Sequence, residues 1–153
     1  MFGWAIGYLQ PMSTQSSAVL AFLAQPLTAH LATHGPRVRP VWYLWEDGAF
    51  WILTGPWSTV PRDLEHDAHV ALVVDWLDLH TGETRQVRAR GMAALAPWDR
   101  EQGWRMLRRY LGDDVGAWDS RFQDYLRGDV GSVWLHVPCP IPRLVDLSFR
   151  PSG

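Results

Sequence analysis

Residues 38–64 read VRPVWYLWEDGAFWILTGPWSTVPRDL. Two runs rich in apolar and β-branched or aromatic side chains flank the pair Asp47-Gly48. This pair favours a two-residue hairpin turn, because both central positions of a type I′ turn need positive φ. After a Gly-Pro break, a short helical pattern begins near Ser58 or Thr59. A helix start presents free backbone N–H groups, so the sequence predicts that this junction suits an anion such as a phosphate.

The composition is that of an ordinary globular domain. The chain has 153 residues, of which 47% are hydrophobic and 20% charged. A net charge of −2 points to neither nucleic acid nor an anionic membrane as a partner, and no apolar run approaches the ~20 residues that span a bilayer. Cys139 is the only cysteine, so no intrachain disulfide is expected. We expect a single cytoplasmic domain over residues 13–153, preceded by an N-terminal extension, residues 1–12, that is a candidate for disorder.

Patterns along the rest of the chain predict a mainly β, α+β fold. Apolar periodicity and capping residues predict helices at 16–24, 58–66, 97–111 and 119–127. Alternating or continuous apolar runs predict strands at 27–34, 38–45, 49–54, 69–76, 84–95, 132–137 and 143–149. Gly91, inside the fifth of these strands, suggests a bulge or a close backbone approach. Tight turns join most strands, so we expect an antiparallel sheet of six or seven strands closed into a small barrel with helices outside.

Several short motifs follow one another in a fixed order over most of the chain. They are Phe22-Leu23, Leu31-Ala32-Thr33-His34-Gly35, Arg39-Pro40-Val41-Trp42-Tyr43, Asp47-Gly48, Thr54-Gly55, the loop from Ser58 to Leu64, Asp67-Ala68-His69-Val70-Ala71-Leu72-Val73-Val74-Asp75, and Val87-Arg88-Ala89-Arg90-Gly91-Met92-Ala93. In this order and spacing, the motifs make the sequence similar to the pyridoxamine-5′-phosphate-oxidase-like family of FMN-binding split barrels. The resemblance runs from about Ala21 to Phe149.

The resemblance implies an architecture and an activity. The architecture is a six- to seven-stranded antiparallel split β-barrel with peripheral helices, paired into a homodimer with the flavin site at the subunit interface. The activity is that of an FMN-dependent oxidoreductase, in which reduced flavin passes a hydride to a small organic acceptor or to oxygen. A small-molecule substrate is expected, and neither nucleic acid nor a membrane.

The resemblance also implies which residues bind the cofactor. They are Val41 and Trp42 along the isoalloxazine ring, Thr54 and Gly55 near the ribityl chain or phosphate, Ser58, Thr59 and Arg62 at the phosphate, and Arg39 as a further candidate cation. A phosphate needs N–H donors, a hydroxyl and a cation, and a planar ring needs an apolar wall. No catalytic acid or base is assigned. No metal site is expected, because no histidine pair in the sequence has a third ligand nearby.

Three residues depart from the family pattern. Val60 stands where many members have a phosphate-binding lysine, Asp63 replaces an asparagine, and Trp57 replaces a smaller or basic residue. All 14 basic residues are arginine, so a chain that avoids lysine would be expected to have arginine, not valine, at position 60. Two alternatives therefore stay open. One is a reductase that uses the deazaflavin coenzyme F(420), and the other is a split barrel that has lost its flavin and acts as a binding or interaction protein.

Overall fold

A computed structural model of the protein describes residues 14–152, with side chains from residue 17 onward. The helices are α1 (Thr14–Leu23), α2 (Val60–His66), α3 (Arg100–Leu111) and α4 (Ser120–Arg127). The strands are β1 (Ala29–Thr33), β2 (Arg37–Val41), β3 (Leu44–Glu46), β4 (Ala49–Thr54), β5 (His69–Asp78), β6 (Glu83–Met92), β7 (Ala94–Pro97), β8 (Val133–Pro138) and β9 (Leu144–Asp146). The predicted extension, residues 1–12, lies outside the described residues. No helix among the described residues has the length and apolar character needed to cross a membrane.

The strands form two antiparallel sheets. The five-stranded sheet has the order β2-β1-β5-β6-β9, and the four-stranded sheet has the order β3-β4-β8-β7. Within the described residues the chain changes sheets four times. It does so at Trp42-Tyr43, between β2 and β3, and at Ala93, between β6 and β7. It also does so between β4 and β5, through α2, and between β8 and β9. This architecture confirms the predicted mainly β, antiparallel split-barrel fold with peripheral helices.

The strand count differs from the predicted six or seven. The described residues contain nine strands, because the predicted strands 38–45 and 84–95 are each divided at the point where the chain changes sheets. Gly91 forms no bulge and pairs in register with Val70. The break falls instead at Ala93, whose N–H donates to the carbonyl oxygen of Ala68 at 2.8 Å. Side-chain patterning does not mark these divisions, because apolar residues continue across both of them.

The helix boundaries follow local capping chemistry. Helix α3 begins after Asp99, whose carboxylate accepts from the backbone N–H of Gln102 at 2.8 Å, so the predicted start at Pro97 is wrong and Pro97 ends β7. Helix α4 begins after Asp119, as predicted, and ends at Gly128, which has a φ of +79°. A left-handed residue at that position favours glycine because it has no Cβ.

Strand β4 contributes to two apolar cores, because both of its faces are covered. Phe50 and Ile52 face the barrel interior, where they join a buried cluster that includes Leu31, Val74, Val87, Leu135 and Val137. Trp51 and Leu53 lie on the other face, against a second cluster formed by Leu44, Met106, Leu107, Trp118, Leu126 and Trp134. Helices α3 and α4 therefore pack on the outside of the four-stranded sheet. This explains why β4 reads as a continuous apolar run rather than an alternating one.

Replacing Leu135 with alanine tests the barrel core. Leu135 is fully buried in the barrel core, so Leu135→Ala should lower the free energy of unfolding by about 2–5 kcal/mol. The control is Leu79→Ala, because Leu79 is 70% exposed and should change stability by less than about 0.5 kcal/mol. Urea denaturation followed by tryptophan fluorescence measures both. Equal midpoints for the two variants would contradict the assignment of Leu135 to the core.

Candidate functional site

The loop between β4 and α2 is held by its own hydrogen bonds. The backbone N–H of Ser58 donates to the carbonyl oxygen of Gly55 at 3.0 Å, and the Ser58 hydroxyl accepts from the backbone N–H of Val60 at 3.1 Å. Pro61 has no N–H to offer. This helix start therefore presents fewer free donors to an anion than the sequence pattern suggested. Val60 is 3% exposed, and its side chain packs in the barrel core rather than on the surface of the loop.

Asp63 is the centre of a buried network that ties α2 to β1 and β2. Its carboxylate accepts from the Thr33 hydroxyl at 2.8 Å, from Arg37 Nη1 at 2.8 Å and from Arg39 Nη2 at 3.0 Å. Arg39 also donates to the Thr33 hydroxyl oxygen at 2.9 Å, and the Thr59 hydroxyl donates to Asp63 at 3.4 Å. Arg37 and Arg39 are thus already paired with a carboxylate of the protein.

The ionised form of Asp63 is favoured despite its burial. Burial by itself raises the pKa of the carboxyl group, but the hydrogen bonds from Thr33 and Arg39 and the charges of Arg37 and Arg39 outweigh it. The net effect is a pKa below the usual value for aspartate. Asp63 therefore carries a negative charge at neutral pH and neutralises part of the positive charge that a bound phosphate would require.

A cavity of about 370 Å³ lies between the end of β2 and helix α4. Its lining consists of Thr28, Pro40, Val41, Trp42, Arg121, Phe122 and Tyr125. A cavity of this volume with mostly apolar walls has the size and character of a small-molecule site. Val41 and Trp42, the two residues predicted to lie along a planar ring, are therefore found together at this cavity.

The Trp42 ring is covered on both faces. It stacks on Tyr110 with ring centroids 4.4 Å apart and on Phe122 with centroids 5.2 Å apart, and both pairs are close to parallel. Offset stacking of this kind fixes the ring orientation, so this wall of the cavity is rigid.

A second aromatic pair connects the cavity to the loop. Trp57 stacks on Tyr125 with centroids 4.5 Å apart, and Tyr125 contacts the edge of Phe122. The Trp57 ring also lies against Gly55 so closely that a Cβ at that position would be 2.3 Å from it. Only glycine allows this approach. Trp57, which departs from the family pattern, is thus part of a continuous aromatic series that runs from the loop to the cavity.

Helix α3 fixes the point where the chain crosses between the sheets. The Tyr110 hydroxyl donates to the carbonyl oxygen of Leu27 at 2.8 Å and accepts from the backbone N–H of Tyr43 at 3.2 Å. Arg109 donates to the carbonyl oxygens of Leu23 and Gln25, each at 2.7 Å. Burial raises the pKa of the Tyr110 hydroxyl, which stays protonated. These bonds hold Trp42 at the cavity through the backbone of its neighbour.

The predicted site residues fall into separate groups. Val41 and Trp42 line the cavity, whereas Arg39 is bonded to Asp63, and Ser58 and Thr59 sit at the start of α2. Thr54 lies on the same face of β4 as Phe50 and Ile52, so its side chain is turned into the barrel, and its buried hydroxyl has no hydrogen-bond partner among the described residues. Gly55 lies under Trp57. Arg62 is exposed and forms no ion pair within the described part of the chain.

Five residues at the cavity were not identified as site residues from the sequence. They are Thr28, Pro40, Arg121, Phe122 and Tyr125. Phe122 and Tyr125 lie in the helix predicted at 119–127, and both pack against neighbouring aromatic rings while remaining partly exposed. A detectable signal was present, because two aromatic residues three positions apart on a helix, next to an arginine, form one surface. In the described residues, no group of three or more metal-ligating side chains is placed to hold a metal ion.

A family model described as pyridoxamine 5′-phosphate oxidase matches residues 16–137. The chain belongs to this family. The matched segment contains β2, the loop before α2 and helix α4, so every part of the cavity and its neighbouring loop lies inside it. The resemblance identified from the sequence motifs is confirmed. No curated protein matches the chain.

Solved structures confirm the fold of this family member at low sequence identity. A conserved hypothetical protein from Mycobacterium tuberculosis has a TM-score of 0.67 and 21% identity, over 92% of this chain and 93% of that one. An FAD-binding protein from Mesorhizobium loti has a TM-score of 0.60 and 15% identity, over 87% and 95%. An F(420) reductase has a TM-score of 0.53 and 19% identity, over 80% and 93%. At these identities the likeness shows the fold alone.

The Asp63 network predicts a specific dependence of stability on pH. Because the folded-state pKa lies below the value of about 3.9 in the unfolded chain, the stabilising contribution is complete above that value and is lost as the pH falls through the folded-state pKa. Asp63→Asn should lower the free energy of unfolding at pH 7 by about 1–3 kcal/mol. Below about pH 4, the free energy of unfolding of Asp63→Asn should also decrease less steeply with falling pH than that of the parent protein.

Urea denaturation between pH 2.5 and 7 measures this effect. Glu65→Gln is the matched control, because Glu65 is exposed on the same helix and its replacement should change stability by less than about 0.5 kcal/mol. If the free energy of unfolding fell equally steeply with decreasing pH in Asp63→Asn and in the parent protein, the ion pairs of Asp63 would not contribute to stability.

Proposed function

We propose that this chain is a flavin-dependent oxidoreductase that binds FMN at the cavity between β2 and α4. The observation that carries the proposal is the rigid aromatic and apolar wall of that cavity, which contains Val41 and Trp42. Membership of the pyridoxamine 5′-phosphate oxidase family supports it. A bound flavin would supply hydride transfer to a small organic acceptor or to oxygen.

The residues of the chain have distinct roles in this proposal. Val41, Trp42 and the Phe122 ring exclude water from one side of the bound ring and orient it. The hydroxyls of Ser58 and Thr59 lie at the loop that would face the ribityl chain and phosphate, with Arg62 exposed beside them. No side chain is assigned as a proton donor or acceptor.

The aromatic cavity suits a planar ring better than the loop suits a phosphate. Val60 is buried, and Arg37 and Arg39 are engaged by Asp63, so Arg62 is the one cation at the loop that no carboxylate of the described residues engages. A flavin phosphate is bound more strongly where several cations and N–H donors converge. Two alternative functions therefore remain. One is a reductase that uses deazaflavin coenzyme F(420), which the fold shared with an F(420) reductase favours. The other is a binding protein that has lost its flavin.

Titration with the two coenzymes distinguishes these candidates. The parent protein should quench FMN fluorescence with saturation at one FMN per chain. Val41→Trp should weaken binding by roughly tenfold or more, because an indole would occupy the space that the ring needs. Val38→Trp is the matched control, because Val38 lies on the same strand, is 68% exposed and does not line the cavity.

The outcomes of the titration separate the three candidates. Binding of the deazaflavin coenzyme without FMN would replace the first proposal by the second. Binding of neither would favour the binding protein. Equal FMN affinity in Val41→Trp and Val38→Trp would move the flavin site away from this cavity.

A homodimer with the site at the subunit interface is part of the same proposal, as is a cytoplasmic location. The outer face of the five-stranded sheet supports an interface, because Leu77 and Val145 lie on it, Leu147 directly follows β9, and all three are exposed. Exposed apolar side chains grouped on one sheet face are typical of surfaces that a second chain covers.

Light scattering tests the dimer. The parent protein at micromolar concentration should have twice the chain mass of 17.4 kDa. Leu147→Glu should shift the mass toward that of one chain, because a buried unpaired carboxylate is unfavourable in an interface. Circular dichroism checks that the variant remains folded. A parent protein with the mass of one chain would exclude a site built from two subunits.

A further inference from the structure

We propose that Arg121 is the residue that recognises the negative charge of the ligand in the cavity, so that the cavity takes a planar aromatic molecule with an anionic group. This inference rests on the proposed function and adds a residue outside the loop to the binding site. Arg121 is the only charged residue among the seven that line the cavity.

Three other arginines near the site are already engaged, and a fourth, Arg62, is exposed on α2 and does not line the cavity. Arg37 and Arg39 are bonded to Asp63, and Arg109 donates to backbone carbonyl groups. In the described part of the chain, by contrast, no carboxylate pairs with Arg121. A guanidinium group has five N–H donors and no acceptor, so those of Arg121 are available to a ligand.

The position of Arg121 is set by an aromatic ring. Its guanidinium carbon lies 4.8 Å from the centroid of the Phe122 ring, and Phe122 itself stacks on Trp42. A guanidinium over a ring is attracted to the ring face and keeps its N–H groups in its own plane. The Phe122 ring belongs to the cavity wall that would contact a planar ligand. The same ring also holds the Arg121 guanidinium at the rim of the cavity.

Arg121 would contact the anionic group of the ligand. A guanidinium forms charge-assisted, two-point contacts with a phosphate or a carboxylate, and such contacts are stronger than those of neutral donors. FMN and riboflavin share the isoalloxazine ring and the ribityl chain and differ in the phosphate. Comparing the two ligands therefore separates recognition of the charge from recognition of the ring.

The experiment measures FMN and riboflavin binding by flavin fluorescence for the parent, Arg121→Ala and Arg121→Lys. Arg121→Ala should weaken FMN binding by about tenfold to a hundredfold and change riboflavin binding by less than about twofold. Arg121→Lys should recover part of the lost FMN affinity, because it keeps the charge without the planar fork. The melting temperature should stay at the parental value, because Arg121 is exposed.

Two further variants serve as controls. Arg127→Ala removes an arginine from the same helix that pairs with Asp124 and Asp129, and it should bind FMN like the parent. Arg62→Ala tests the exposed loop cation. A loss of FMN affinity in Arg62→Ala with parental affinity in Arg121→Ala would overturn the assignment of Arg121.

The remaining outcomes keep this inference separate from the proposed function. Tight FMN binding that Arg121→Ala leaves unchanged would overturn the inference and leave the flavin proposal standing. Equal weakening of FMN and riboflavin would show a structural role for Arg121 and also overturn it. If the parent takes only deazaflavin coenzyme F(420), Arg121→Ala must weaken that ligand by a similar factor, and equal affinity overturns the inference. A parent that binds none of these ligands would overturn both.

Discussion

A buried aspartate needs compensating charge and hydrogen bonds, and Asp63 obtains them from β1 and β2. Removing a carboxylate from water is costly unless donors and cations replace the lost hydration. Thr33, Arg37 and Arg39 provide this replacement, and in doing so they fix helix α2 against the edge of the five-stranded sheet. The same bonds decide what the neighbouring loop can bind, because a cation held by a protein carboxylate attracts a ligand less strongly.

The hairpin, the helix caps and the crossing at Trp42-Tyr43 show what sequence analysis could and could not predict. The hairpin at Asp47-Gly48 was predictable, since Asp47 has a φ of +52° and Gly48 of +71°, as a type I′ turn requires. The caps at Asp119 and Gly128 were predictable for the same reason: local chemistry determines them. The division at Trp42-Tyr43 was not, because it depends on Tyr110, which is far away in sequence and bonds to the backbone of Tyr43.

The same distinction applies to the candidate site: features set by neighbouring residues could be predicted, and contacts between distant residues could not. Val41 and Trp42 could be placed from the sequence, because the motif around them is contiguous and its position in the family fold is known. The engagement of Arg37 and Arg39 could not, since their partner is 24 to 26 residues further along the chain. Phe122 and Tyr125 lie in a helix that the sequence predicted, but both are only partly buried, and helical periodicity does not say whether an aromatic face meets a core or a cavity. Both residues meet aromatic neighbours and the cavity at once.

Moving the cation from the loop to α4 would change what the site can recognise. A lysine on the loop would contact a phosphate as a point charge from a flexible stem, and its position would depend on the loop. Arg121 instead stands on a helix against Phe122, whose orientation is fixed by Trp42 and, through it, by Tyr110. The charge and the ring wall would then move together as one rigid surface, and less ordering would be required when a ligand binds. Such a site selects a fixed distance between the planar ring and the anionic group of its ligand, which is a stricter requirement than the presence of a phosphate alone.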